Sequence, residues 1–412
     1  MTGPGATPRN MFQNRGMTTD PSSTIATADV IVIGLGAFGS AAAWQLAKAG
    51  AKVIGIDRHA PPHDLGSSHG ATRITRLAVA EGDAYVPLVR RAHEIWGELE
   101  AATGETLYTP TGGLIIGPRE AALHGAGRPS FLRRTMDAAA RFGIPHELLT
   151  AADTTARFPQ FELKDDELAY FEPSSGVLRP ERCIAAQLGQ ARAHGACLRL
   201  GETVLAIDSH AAGVTVTTDR GVVSAAKAIV TAGPWIPGLV GGAFARHLRV
   251  MRQVLYWFET SRPELYRPDA SPVFIWMHGD ASEEPMYGFP MIDGHAGVKV
   301  ATEQYVVSTD PDRMERRVSE AEQRLMFDHH LAGRLRAITP RCVHSAACLY
   351  TVSTDSHFII DRHPEHPHVS VASACSGHGF KHSAAVGEAL ARQALGERVD
   401  VLSSFGLARF DR

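Results

Sequence analysis

Cysteine is scarce in this 412-residue chain: five, at 183, 197, 342, 348 and 375, none of them in a CxxC pair. An odd, scattered set of that size excludes a disulfide framework and fits a reducing, cytoplasmic compartment. Long apolar runs are lacking too. None approaches the ~20 residues that a membrane helix needs. Residues 1–26, rich in Thr, Pro, Gly, Asn and Ser, lack the apolar segment of a secretory signal. They read as a disordered leader, with Met17 as an alternative start. Charge of one sign is also missing. A net charge of −3 points to no nucleic acid and no anionic membrane as partner. Histidine is plentiful, at 20. Yet the cluster His363, His366 and His368 lies among prolines with no Cys or acid at ligand spacing. It reads as a solvated turn, and no metal is expected.

What is there begins with glycine. Gly34-Leu35-Gly36-Ala37-Phe38-Gly39 follows the apolar run Val30–Ile33 and opens a helical pattern that ends at Gly50. A second apolar run, Val53–Ile56, then delivers Asp57. Strand, tight turn, helix, strand and acid together predict a dinucleotide site. Glycines admit a pyrophosphate to the backbone, and the helix N-terminus offers free N–H groups. An acid roughly twenty residues past the glycines suits a ribose hydroxyl. The motif does not choose between NAD and FAD.

Further along, apolar positions Leu88, Ala92, Ile95, Trp96 and Leu99 recur at helical spacing and predict a helix over about 86–102. Residues 112–117 read as a strand, and a charged helical region then runs to about Phe158. From Val204, alternation in 214–217, a turn at 219–221 and the run Ala228–Val230 predict a β-meander. Residues 251–351 mix aromatic-rich strands with helices, as a second domain inserted into the first. Near the end, a strand over 369–374 feeds a second glycine turn, Ser376-Gly377-His378-Gly379-Phe380-Lys381, and a small-residue helix with Ala385, Leu390 and Ala394. The fold class is α/β, a Rossmann-like domain, which the meander and its closing small-residue turn liken by fold analogy to an FAD-binding domain, with an inserted antiparallel-sheet substrate domain. The expected division is 27–118, 171–245 and 346–412 for the cofactor, and 119–170 and 246–345 for the substrate.

These segments, taken in order from Asp29 to the C-terminus, resemble the monomeric sarcosine oxidase and N-methyltryptophan oxidase group of flavin amine oxidases. The residues that carry the likeness are the fingerprint with Asp57, Pro61-Pro62-His63, Gly66 to Arg73 and Tyr85 to Leu88. With them go Phe171 to Gly176, Tyr287 to Pro290, Ala347 to Thr351, Phe358 to Asp361 and Ser376 to Lys381.

The resemblance implies FAD, attached by a thioether to Cys348; a thiolate is the nucleophile such a bond needs. By itself Cys348 would read as a buried apolar residue. Oxidation of a secondary amine takes two electrons and the hydrogen on the carbon beside nitrogen, which a flavin accepts. For an N-methyl amino acid, imine hydrolysis then releases formaldehyde, and reoxidation by oxygen yields hydrogen peroxide. The likeness assigns Arg76 and Lys381 to the substrate carboxylate, and Lys299 to oxygen activation, where a cation stabilises developing negative charge. A lysine inside the apolar run 297–300 is costly unless paired or functional. Catalytic candidates are Lys299, Arg73, His69 and Tyr287. Cofactor candidates are Gly34, Gly36, Gly39, Asp57, Ser67, Thr72, Arg73, Val204, Cys348, Gly377, Gly379 and Lys381. Substrate candidates are Arg76, Tyr287, Glu303 and Lys381.

One position departs from the group. Four residues after the oxygen-activating lysine its members carry histidine, and this chain carries Glu303. Positions four apart on a strand share a face, so Glu303 is expected in the same cavity, disfavouring anionic side chains. The loop Asp293-Gly294-His295 could cap that cavity. The leading reading is a monomeric FAD oxidase of N-methyl amino acids. Alternatives are a cyclic imino acid or fructosyl amino acid as substrate, an NAD-linked dehydrogenase, and a non-catalytic flavoprotein that binds an amino acid.

Overall fold

A computed structural model describes residues 26–411 apart from 124–128, 279–283, 293 and 295. The leader (but for Ala26) and two residues of the 293–295 loop therefore lie outside the described residues.

The strand Ala26–Ile33 is central to the first sheet. It pairs in parallel with Val53–Asp57 on one side and with Gly221–Val230 on the other. Its second half is wholly buried, as expected of a parallel strand covered on both faces. The helix Ala37–Lys48 returns the chain between the first two strands. The meander is present: Val204–His210, Gly213–Thr218 and Gly221–Val230 pair in sequence, antiparallel. The last of these also pairs in parallel with His366–Ser373. One sheet thus joins the start, middle and end of the chain, and it sets the two glycine turns beside each other.

Two helices lock that arrangement. Ala37–Lys48 packs on Ser383–Ala394, and a Cβ on Gly387 would sit 2.3 Å from Ala41 Cβ. The predicted helix is found at Tyr85–Thr103, ending in left-handed Gly104.

The second sheet has eight strands. Its longest pairing joins Leu248–Thr260 to Ile338–Ser353, antiparallel. Val298–Thr302, Glu284–Gly288 and Val273–His278 continue it. Three expectations are corrected here. Gly113–Pro118, assigned to the cofactor part, pairs in parallel with Val273–His278 in this second sheet. Its buried Leu114 and Ile116 join the aromatic core around Phe274 and Trp276. The region expected to be helical up to Phe158 contains the strand Glu147–Thr150, which pairs with Glu167–Glu172. His363 and His366 are opposite one another in a strand pair. Their rings are 4.6 Å apart and flank the exposed turn 364–365, as expected, but His363 itself is buried rather than solvated. Among the described residues no helix is long and apolar enough to cross a membrane.

Candidate active site

The first glycine turn is built by exclusion. A Cβ on Gly39 would lie 1.8 Å from Gly34 O, and one on Gly34, at φ +86°, would lie 2.7 Å from Thr231 O. Neither position has room for a side chain. Gly36, by contrast, has Ser68 Oγ as its nearest neighbour at 3.9 Å, so its backbone faces open space. Asp57 is buried and accepts hydrogen bonds from Leu35 N at 2.7 Å and His59 N at 2.8 Å. It therefore braces the turn as well as lining the cleft. Burial pushes its carboxyl up, against those two bonds.

From this turn a cleft runs along the sheet edge, lined by Gly34, Gly36, Asp57, Ser67, Arg73, Val204, Thr351, Ser373, Gly377 and Gly379 among others. The hydroxyls of Ser67, Thr351 and Ser373 are buried there without a partner in the protein. Unpaired buried hydroxyls are costly, so the cleft is finished by a ligand with polar groups along its length. Gly379 closes the second turn: a Cβ there would lie 1.7 Å from Ala374 O. Residues from both ends of the chain thus fit a dinucleotide.

Cys348 lies beyond the cleft on the strand Ile338–Ser353 and is 1% exposed. Burial opposes ionisation of its thiol. His69 and Arg73 outweigh that, and the thiol is brought down to about 7. Arg73 is fixed by Thr72 O at 2.8 Å and Ser67 O at 2.7 Å, with Sγ of Cys348 at 3.9 Å.

A second cavity of roughly 690 Å³ adjoins the cleft. Arg73, Tyr350, Gly377 and Phe380 line both. Arg76, Tyr287, Glu303 and Lys381, the four substrate candidates, all line the second one. Lys381 is not among the cleft residues. Arg76 is 3% exposed and pairs with Glu81 at 2.7 Å. Glu81 also lies 3.5 Å from Lys381 Nζ, which donates to His378 O at 2.7 Å. Burial brings Lys381 down to about 8 despite Glu81. Burial would raise the Glu81 carboxyl, yet Arg76, Lys381 and His378 hold it well below the usual carboxylate range. Glu303 accepts from Tyr305 OH at 2.7 Å, and burial pushes its carboxyl up. Tyr287 and Tyr350 hydroxyls are 3.3 Å apart.

Lys299 and His69 line neither cavity, which corrects the expectation that Glu303 shares one with Lys299: the strand Val298–Thr302 ends before Glu303, so the alternation does not carry to it. Lys299 is opposite Trp257 in the strand pairing. Its Nζ donates to Gly70 O at 2.6 Å, Thr72 Oγ1 at 2.9 Å and Thr72 O at 3.0 Å, with the Phe289 ring centroid 4.6 Å away. Burial, reinforced by Arg73, pushes the ammonium well down. The residues that sequence reasoning missed are Glu81, Tyr305, Tyr350 and His378. Glu81 is in an irregular stretch with no periodic signal, five residues after Arg76.

A family model described as "FAD dependent oxidoreductase" matches residues 29–393. The chain is 39% identical over 375 residues to a monomeric sarcosine oxidase of Streptomyces avermitilis, covering 90% of this chain and 94% of that one. It is 34% identical over 398 residues to an N-methyl-L-tryptophan oxidase of Yersinia pestis, covering 93% and 99%. Among solved structures, NikD, an unusual amino acid oxidase essential for nikkomycin biosynthesis, matches with a TM-score of 0.77 at 24% identity over 92% of this chain and 97% of that one. Amadoriase I of Aspergillus fumigatus, a fructosyl amine:oxygen oxidoreductase, matches with a TM-score of 0.70 at 18% identity over 94% and 93%.

Proposed function

Because this chain belongs to the FAD-dependent oxidoreductase family, we propose that it is an oxidase of N-methyl amino acids. The reaction takes substrate, O2 and water to the primary amino acid, formaldehyde and hydrogen peroxide. The observation that carries the reading is the shared wall. A cavity holding Arg76 and Lys381 meets the cofactor cleft at Arg73, Tyr350, Gly377 and Phe380.

The first glycine turn, Asp57 and Val204 hold the cofactor's adenosine and pyrophosphate end, and the second glycine turn, with Gly377 in the shared wall, serves the flavin end. Bound FAD supplies the two-electron acceptor. Arg76 and Lys381 bind the substrate carboxylate once Glu81 gives way, the guanidinium by two parallel bonds and the ammonium as a point charge. Tyr287 and Tyr350 fill the wall beside the reacting carbon. Lys299, held by Gly70 and Thr72, is the ammonium assigned to the place where oxygen is reduced, with burial and Arg73 working against its charge. His69 and Arg73 favour the Cys348 thiolate, and we assign covalent attachment of FAD to that sulfur. In this reading the first sheet serves the cofactor and the second the substrate, with Cys348 the point where the second sheet meets the flavin. The enzyme is a cytoplasmic monomer.

A second reading keeps the chemistry and enlarges the substrate. Glu303 puts a carboxyl in the cavity wall, and a space of roughly 690 Å³ is ample for a cyclic imino acid or a fructosyl amino acid, whose hydroxyls a carboxylate would bind.

A peroxide-coupled screen of N-methyl amino acids, proline analogues and fructosyl amino acids decides between them. Peroxide from the first class alone supports the first reading. Peroxide from none, in a colourless protein that binds NAD, overturns both. Acid precipitation leaves the yellow colour in the pellet if Cys348 carries FAD and releases it in Cys348→Ser; release from the parent protein rejects the attachment. Lys299→Met slows reoxidation by oxygen on the order of a hundredfold or more and leaves reduction by substrate nearly intact. Equal losses remove Lys299 from its role.

A further inference from the structure

The turn that grips Lys299 is strained and has its own support. Gly70 and Ala71 both adopt left-handed backbone, at φ +97° and +67°. A non-glycine residue holds that conformation only where its surroundings enforce it. The enforcing group is Glu181, which lies far away in sequence at the start of the helix Pro180–Ala193. Its Oε1 accepts from Gly70 N at 2.7 Å and from Ala71 N at 3.0 Å. The opposite side of the same turn presents Gly70 O, Thr72 O and Thr72 Oγ1 to the ammonium. The contact is close: a Cβ on Gly70 would lie 3.7 Å from Lys299 Nζ and 2.5 Å from Leu255 Cδ1.

We propose that Glu181 is the positioning residue of Lys299: one carboxylate oxygen pins the Gly70–Ala71 turn, and that turn fixes the ammonium. Glu181 touches neither cavity, so it acts through the turn and through its charge. The charged and titratable groups that act on Lys299 are Arg73 on the strand Arg73–Thr75, Glu181 on its helix and Cys348 on the strand Ile338–Ser353. The remaining close neighbours are the rings of Trp257 and Phe289. Burial and Arg73 drive the ammonium toward neutrality, and Glu181 and Cys348 oppose them. An acid in a first helical turn ordinarily complements the helix dipole. That role would leave the Lys299 environment untouched, so the two roles separate by experiment.

The inference depends on the oxygen-side reading of Lys299 for its kinetic arm only. The chain has six lysines, so protein labelled with carbon-13 at lysine Cε resolves Lys299, assigned by loss of its signal in Lys299→Met. Glu181→Gln keeps an oxygen for both amides and removes the charge. Amide exchange at Gly70 and Ala71 stays as in the parent, while Lys299 titrates about one pH unit lower. Glu181→Ala removes both contributions. Exchange at the two amides quickens by about tenfold or more, and reoxidation by oxygen slows more than anaerobic reduction by substrate. An unmoved Lys299 titration in Glu181→Gln overturns the proposal, as does unchanged exchange at Gly70 and Ala71 in a folded Glu181→Ala. If the alanine variant does not fold, the glutamine titration decides. Failure of the Lys299 reading shows separately, as a Lys299→Met that reoxidises normally while titration and exchange still follow Glu181.

Discussion

Glu81 lies between Arg76 and Lys381, where the proposed substrate carboxylate binds. The cavity therefore already contains a carboxylate of its own, and a substrate must displace it. Two consequences follow for titration. Lys381 is brought down to about 8, so its ammonium is present below that pH and lost above it. Affinity for a simple carboxylate inhibitor such as acetate is then flat below pH 8 and falls above it, approaching about tenfold per pH unit because one bound proton is required. Lys381→Arg keeps its charge and flattens the profile; a parent profile flat to pH 10 by fluorescence titration excludes Lys381 from the clamp. Glu81→Gln removes the competing charge and tightens the same inhibitor roughly tenfold. Arg76, Lys381, Tyr287 and Glu303 were legible in sequence through the resemblance, and they do share a cavity. Glu81 was not, because an acid in an aperiodic loop carries no mark of the cations it will meet. Tyr305 likewise reads as an ordinary loop aromatic until folding brings its hydroxyl to Glu303.

Among the elements, the two glycine turns were plain in the chain because each combines an apolar run, small residues and a helix start within one local window. What holds them together was not. The contact between the helices Ala37–Lys48 and Ser383–Ala394 depends on Gly387, which locally reads as a weak spot in a helix. Replacing such a glycine by alanine in an open helix stabilises it by about 0.8–1 kcal/mol. Here the new Cβ would meet Ala41 Cβ at 2.3 Å and Ala42 N at 2.8 Å. Overpacking of that kind costs typically about 1–3 kcal/mol. Gly387→Ala therefore lowers the melting temperature. A rise in Tm by calorimetry would show that the helices separate freely. The strands Gly113–Pro118 and Glu147–Thr150 were misplaced for a related reason. Strand membership is settled by partners outside any local window: Gly113 pairs with Val273, 160 residues on, and Glu147 with Phe171 across a helix and a turn.

Across the whole molecule, the segment after Glu303 ties the two sheets together over the cleft. Asp312 accepts from Arg58 at 3.0 Å and from Trp235 Nε1 at 2.8 Å. Arg316 donates to Asp64 O at 2.9 Å and Leu65 O at 3.0 Å. Such exposed pairs contribute little singly, so the firmer link is the strand Ile338–Ser353, where Thr351 O accepts from Ser376 N at 2.9 Å, in the turn that follows the first sheet's last strand. Along it Ala347 and Leu349 pack with Val250 and Met314, while Cys348 packs the other way with Leu255, Trp257 and Ala301. Cofactor loss and collapse of the second sheet are then one event. On heating, flavin fluorescence rises together with the calorimetric transition in the parent and several degrees before it in Cys348→Ala. An early rise in the parent would break the link.

That strand runs 16 residues, and Cys348 is two-thirds of the way along it, across from Gln253. A flavin fastened there stops being an exchangeable ligand and becomes part of the chain's own constitution. Under the proposed attachment each molecule is loaded once, so flavin supply matters while the protein is being made and no longer matters to the finished enzyme.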